Sequence, residues 1–94
     1  MEGEQWKQPP SVRFHGVVYV SDGRVNDAQS VGRDLGSGAA LDCDQRTVLD
    51  RVGVSVLTEV DDRQAIGVRR GRWHGVYVAE DVPHSRLPQV LFAR

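Results

Sequence analysis

Ala65-Ile66-Gly67-Val68-Arg69-Arg70-Gly71-Arg72-Trp73-His74-Gly75-Val76-Tyr77-Val78-Ala79 is the stretch on which the class of fold turns. Residues 65–68 and 73–79 are rich in β-branched and aromatic side chains, and they flank a short segment containing Gly71. This is the pattern of two strands joined by a tight connection. Residues 69–72 read as the tip and 73–79 as the partner strand, so the unit is a β-hairpin.

The segment before it is read the same way. Between residues 47 and 60, Val48, Val52 and Val56 fit a helix, whereas Val52, Val54, Val56, Thr58 and Val60 fit a strand. Five valines and Gly53 weaken a helix, so a strand is expected, followed by a turn at Asp61-Asp62-Arg63. Residues 12–20 also alternate as one strand, with Val12, Phe14, Val18 and Val20 on one face and Arg13, His15, Val17 and Tyr19 on the other. Ser21-Asp22-Gly23 supplies turn chemistry, and Arg24-Val25 begins a short return strand.

Residues 26–45 are the least regular, with Gly32, Gly36 and Gly38 and only Val31, Leu35 and Leu41 as larger aliphatics. A phosphate-binding P-loop needs Lys and then Ser or Thr after its last glycine. Ala39-Ala40 stand there instead, so a flexible loop or an edge strand with bends is expected. Leu87, Val90, Leu91 and Phe92 have helical spacing, and Pro88 is tolerated in a first helical turn, which predicts a short C-terminal helix. Residues 1–11 are polar, end in Pro9-Pro10-Ser11 and read as a flexible arm, leaving 12–94 as one domain. The fold class is therefore all-β or β-rich α+β. It is a small antiparallel sheet or partly open barrel of five to six strands, with a short C-terminal helix.

Twelve basic and thirteen acidic residues are interspersed along the chain for a net charge of −1, so no global field draws it to nucleic acid or anionic lipid. Nucleic acid could be held only through a local arginine cluster. Eleven of the twelve basic residues are arginine, a bias that composition explains more simply than function. No apolar run approaches the ~20 residues of a membrane span, and residues 1–10 lack the basic and apolar regions of a signal. A soluble chain is expected, cytoplasmic or of the cell envelope with a signal removed. Cys43 is the only cysteine, which excludes an intramolecular disulfide, and its neighbours Asp42 and Asp44 discourage a thiolate.

Arg13-Phe14-His15-Gly16-Val17-Val18-Tyr19-Val20 and Arg72-Trp73-His74-Gly75-Val76-Tyr77-Val78 share an Arg, an aromatic, His-Gly and then valines and Tyr. Either a pseudo-symmetric pair of barrel strands or convergence on strand-forming residues accounts for the likeness. Convergence of His15 and His74, with Tyr19, Tyr77, Glu80 or His84 beside them, would make an acid–base pair or a metal site. There is no close ligand pair such as His-x-x-x-His, and neither metal nor cofactor is expected.

The candidate binding residues are Arg69, Arg70, Arg72, Trp73 and Tyr77, because arginines beside an aromatic can grip a phosphate or an acidic partner. A solvated turn neutralised by Glu59, Asp61, Asp62 and Glu80 is the simpler alternative. As catalytic candidates, Glu59 as base, Arg69 as phosphate clamp and His74 or His84 as acid match the residue types of a small ribonuclease. The first reading of function is a binding or protein-interaction module with a protein partner. A small hydrolase, ribonuclease-like, is the alternative, and self-association through an exposed strand edge is a third.

Gly32-Arg33-Asp34-Leu35-Gly36, the Asp42-Cys43-Asp44 turn, and residues 73–80 with Leu87-Pro88 resemble a family of small actinobacterial envelope or lipoprotein-type domains, in order from Val12 to Pro88. The resemblance implies a fold type and an envelope compartment, and carries no catalytic residue across. Members of that family have a lipobox and a further cysteine ahead of the first strand. This sequence has no cysteine there, so neither a lipid anchor nor a disulfide from Cys43 follows.

Overall fold

The computed structural model describes residues 9–21, 25 and 30–92, with the side chain of His84 excepted. Among the described residues six strands follow one another: β1 (Ser11–Phe14), β2 (Val17–Ser21), β3 (Val31–Leu41), β4 (Val48–Leu57), β5 (Ala65–Arg70) and β6 (Trp73–Ala79). All pairings are antiparallel, in the order β1-β2-β6-β5-β4-β3, and β3 returns to β1 to close a barrel. Closure removes free edges from a sheet otherwise open to further pairing. It depends on Ser11, Val12 and Arg13 pairing with Leu41, Ala40 and Ala39, so the barrel is closed rather than partly open.

β3 can make that return because small residues let the backbones close up. A Cβ on Gly38 would lie 3.0 Å from the Arg13 carbonyl oxygen and 3.1 Å from both Val12 Cγ1 and Val54 Cγ2. Extra residues between Val31 and Gly36 shift its register against β4 and bend it, as bulges do. Of the two alternatives its composition allowed, the glycine-rich segment is the strand with bends, though not an edge strand, because β3 pairs with both β1 and β4.

Residues 12–20 are two strands and not one. His15 and Gly16, at φ 51° and 78°, form a two-residue turn with both residues left-handed, so Phe14 pairs with Val17 and Val12 with Tyr19. The turn re-sorts the faces: Tyr19 joins Val12 and Phe14 inside the barrel instead of opposing them. β5 and β6 form the expected hairpin, with its turn narrowed to Gly71-Arg72 and the strands running to Arg70 and Trp73. The arm overlaps the domain at its inner end, because Pro9 and Ser11 are buried and Ser11 opens β1. Residues 1–8 lie outside the described residues; of the expected Ser21-Asp22-Gly23 turn Ser21 ends β2 and the rest lies outside them, as does Arg24, while Val25, expected in a return strand, stands in a bend.

Two cores result. Inside the barrel lie Val12, Phe14, Tyr19, Ala40, Val52, Val54, Ile66, Val68, Tyr77 and Ala79. Outside it, Leu57, Ala65, Val76 and Val78 pack under Val25, Val60, Leu87 and Leu91. β6 therefore buries both faces along 75–79, which explains why its sequence reads as an almost unbroken apolar run. The covering C-terminal segment is not the expected helix but two 3₁₀ turns, His84–Arg86 and Gln89–Leu91. Pro83 and Pro88 lack an N–H and push the preceding residue toward extended geometry, which breaks the segment into single turns. Among the described residues no helix is long and apolar enough to cross a membrane.

Candidate functional site

The β5–β6 hairpin sets the geometry. Counting outward from its two-residue turn, Arg70 pairs with Trp73, Arg69 with His74, Val68 with Gly75 and Gly67 with Val76. Successive side chains alternate between faces, so Arg69 and Arg70 cannot share one. Ile66 and Val68 point into the barrel, which places Ala65, Gly67 and Arg69 outside with His74, Val76 and Val78. β4 extends the outer face, with Gly53 opposite Arg69 and Ser55 opposite Gly67.

Ala65, Val76 and Val78 on this outer face belong to the core that the C-terminal segment covers, whereas Arg69 and His74 are exposed. A groove of about 210 Å³ opens there, lined by Val31, Ser55, Gly67, Val68, Arg69, Arg72 and His74. Gly67 keeps its floor at backbone level: a Cβ there would meet Leu57 Cδ2 at 3.2 Å and Val31 Cγ2 at 3.6 Å. Among the described residues no carboxylate lines it. Three nitrogen-bearing side chains, one hydroxyl and an exposed valine thus share one opening.

The other proposed binding residues face elsewhere. Arg70 donates through Nε to Asp50 Oδ2 at 2.9 Å. That carboxyl is held below its ordinary range, first by the Arg51 N–H and then by Arg70. Tyr77 is fully buried and its hydroxyl donates to the Pro9 carbonyl, so it is not a surface residue. Trp73 turns toward the barrel core, edge-on to Tyr77 with ring centroids 6.2 Å apart, and its ring lies over Gly75. Of the five candidates, only Arg69 and Arg72 meet in the groove. His74 joins them from the catalytic candidates, and Ser55 and Val31 were not foreseen. Alternation counted back from Gly71 would have separated Arg69 from Arg70; nothing local to Ser55 or Val31 marks them.

Two members of the ribonuclease-like triple, Glu59 and Arg69, stand toward opposite ends of β5. Glu59 stands at φ 66° in the connection before β5, and Arg69 lies near the far end of that strand. The four steps from Ala65 to Arg69 alone span about 13 Å. His84 opens the first 3₁₀ turn, with its side chain outside what is described. His15 and His74 do not converge either. The His15 turn lies beside the end of β6, where the Glu80 N–H donates to the Val18 carbonyl, and His74 lies near the start of that strand. The two similar segments are therefore used differently, His-Gly forming a turn in the first and part of a strand in the second.

His15 stacks on Phe14 at 4.0 Å and borders a second cavity of about 340 Å³ with Val17, Tyr19, Asp62 and Arg63. This opening already contains a carboxylate and a guanidinium, and the Tyr19 hydroxyl donates to the Asp62 carbonyl at 2.8 Å. Among the described residues no group of three His, Cys, Asp or Glu side chains could hold a metal ion. Cys43 is exposed in the β3–β4 turn. Comparison with family models, with curated proteins and with solved structures finds no match to this chain, so the groove is read from its own geometry.

Proposed function

We propose that this barrel is a binding module that recognises an acidic segment of a protein partner through the groove at Arg69, Arg72 and His74. The observation that carries the reading is the charge balance of the opening: among the described residues three nitrogen-bearing side chains line it and no carboxylate does. Arg70, the neighbour whose charge is met by Asp50, shows what a neutralised arginine looks like in the same hairpin. Guanidinium groups match carboxylate geometry with two parallel hydrogen bonds, which favours an acidic ligand over a neutral one.

A protein ligand is favoured over nucleic acid because the aromatic partners that base stacking requires are turned away from the groove. Trp73 packs on the barrel core and Tyr77 is fully buried. Titration calorimetry with a Glu-rich peptide tests the reading. The wild-type chain should bind and the R69E/R72E variant should bind at least about tenfold more weakly. Both substitutions are on exposed side chains, so the Tm should stay within about 4 °C. Equal binding by the variant, or none by the wild type, would overturn it.

A further inference from the structure

We infer that the anion this groove takes is a phosphate monoester on the partner's polypeptide, of the phosphoserine type, with an aliphatic residue beside it; this rests on the acidic-partner reading and sharpens it. Arg69 and His74 are directly opposite each other across β5 and β6, where Cβ atoms stand about 4.5–5.5 Å apart. Side chains so placed close on one compact group more readily than on carboxylates spread along a peptide. Arg72 borders the same opening from the turn, and Ser55 adds a hydroxyl from β4.

Four donor-bearing side chains, Arg69, Arg72, His74 and Ser55, border one opening. They suit a phosphate monoester, which near pH 7 carries close to two charges and three acceptor oxygens. The floor and rim fit the rest of the residue. Gly67 is buried under Leu57 and Val31, which close the floor, and Val31, 49 % exposed, offers an apolar wall to a neighbouring aliphatic side chain. A volume of about 210 Å³ is more than ten times the ~10–15 Å³ that admits one water, room for a phosphate with part of the residue beside it.

The test uses three matched synthetic peptides, Ser-Val, phosphoserine-Val and Glu-Val at the same position, with fluorescence anisotropy on the full chain. A 5′-phosphorylated RNA oligonucleotide runs in parallel. Phosphoserine should bind at least about tenfold more tightly than Glu, and Ser weakest. The R69Q/R72Q variant and, separately, H74Q should each narrow the phosphoserine-to-Glu ratio while retaining the wild-type Tm. Glu binding as tightly as phosphoserine would overturn the phosphate inference and leave the acidic-partner reading standing. Absence of binding by both peptides would overturn the two together. Tighter binding of the RNA than of the phosphopeptide would overturn the polypeptide as carrier.

Discussion

Tyr19 and Ser11 are buried hydroxyls with opposite fates. The Tyr19 hydroxyl donates to the Asp62 carbonyl at 2.8 Å, tying β2 to the connection ahead of β5. Ser11 Oγ is buried with no partner among the described residues. Burial pushes the Tyr19 phenol above its ordinary 10.0, and Asp62, Asp81 and Asp61 push it the same way. A raised acid favours the neutral form in the folded state. Its contribution is complete below pH 10 and fades as pH climbs through the folded-state value, because the unfolded chain ionises first. Urea melts between pH 8 and 11.5 should therefore show stability falling above pH 10, and falling less steeply in Y19F. At pH 8 the same variant should be less stable by about 0.5–1.5 kcal/mol, the usual net worth of one hydrogen bond.

At the scale of the element, three turns solve three different problems. His15-Gly16 uses two left-handed residues, which matches the twist of paired strands. Gly71-Arg72 needs only the first residue left-handed, with Gly71 at φ 62°. The longer β3–β4 turn is pinned by Asp44, whose carboxylate accepts from the N–H groups of Arg46 and Thr47 and from the Thr47 hydroxyl. Those bonds, the Thr47 N–H first, hold its carboxyl below the ordinary range. Gly16 has open space where a side chain would stand, so an alanine there meets no clash and suffers only from its φ of 78°. G16A should cost about 1–2 kcal/mol and lower the Tm by roughly 4–15 °C in a thermal melt. β3 carries its own device: the register shifts over residues 31–36 are bulges, which bend and twist the strand as the barrel closes.

For the whole molecule, the consequence of two cores is that the C-terminal segment is structural. Leu91 is fully buried against the outer faces of β4, β5 and β6, in the core it shares with Leu57, Ala65, Val76 and Val78. Truncating such a side chain removes both its transfer free energy and its packing partners. L91A should cost about 2–5 kcal/mol, and calorimetry should show the Tm fall well beyond that of G16A. The groove lies past the limit of this cover, so the same segment that completes the outer core also leaves Arg69 and His74 open to solvent.

Strand content and the β5–β6 hairpin were legible because β-branched runs and a glycine-bearing tip are local properties, and local sterics decide them. The number of strands was bounded for the same reason. The break at His15-Gly16 was not legible, since valines on either side satisfy one long strand as well as two short ones. The C-terminal apolar spacing fitted a helix, and the two prolines overruled it locally. Within the candidate site, the concentration of arginine around residue 70 could be read directly, but which arginine faces which way depended on the register across the turn. What the sequence by itself determined is that this chain makes a small antiparallel β domain with a basic hairpin. Only the tertiary structure decided that β3 closes on β1, that Trp73 and Tyr77 turn inward, and that Ser55 and Val31 border Arg69, Arg72 and His74. The reason is that closure and cross-strand neighbours are set between residues far apart in the chain, where local preference carries no information.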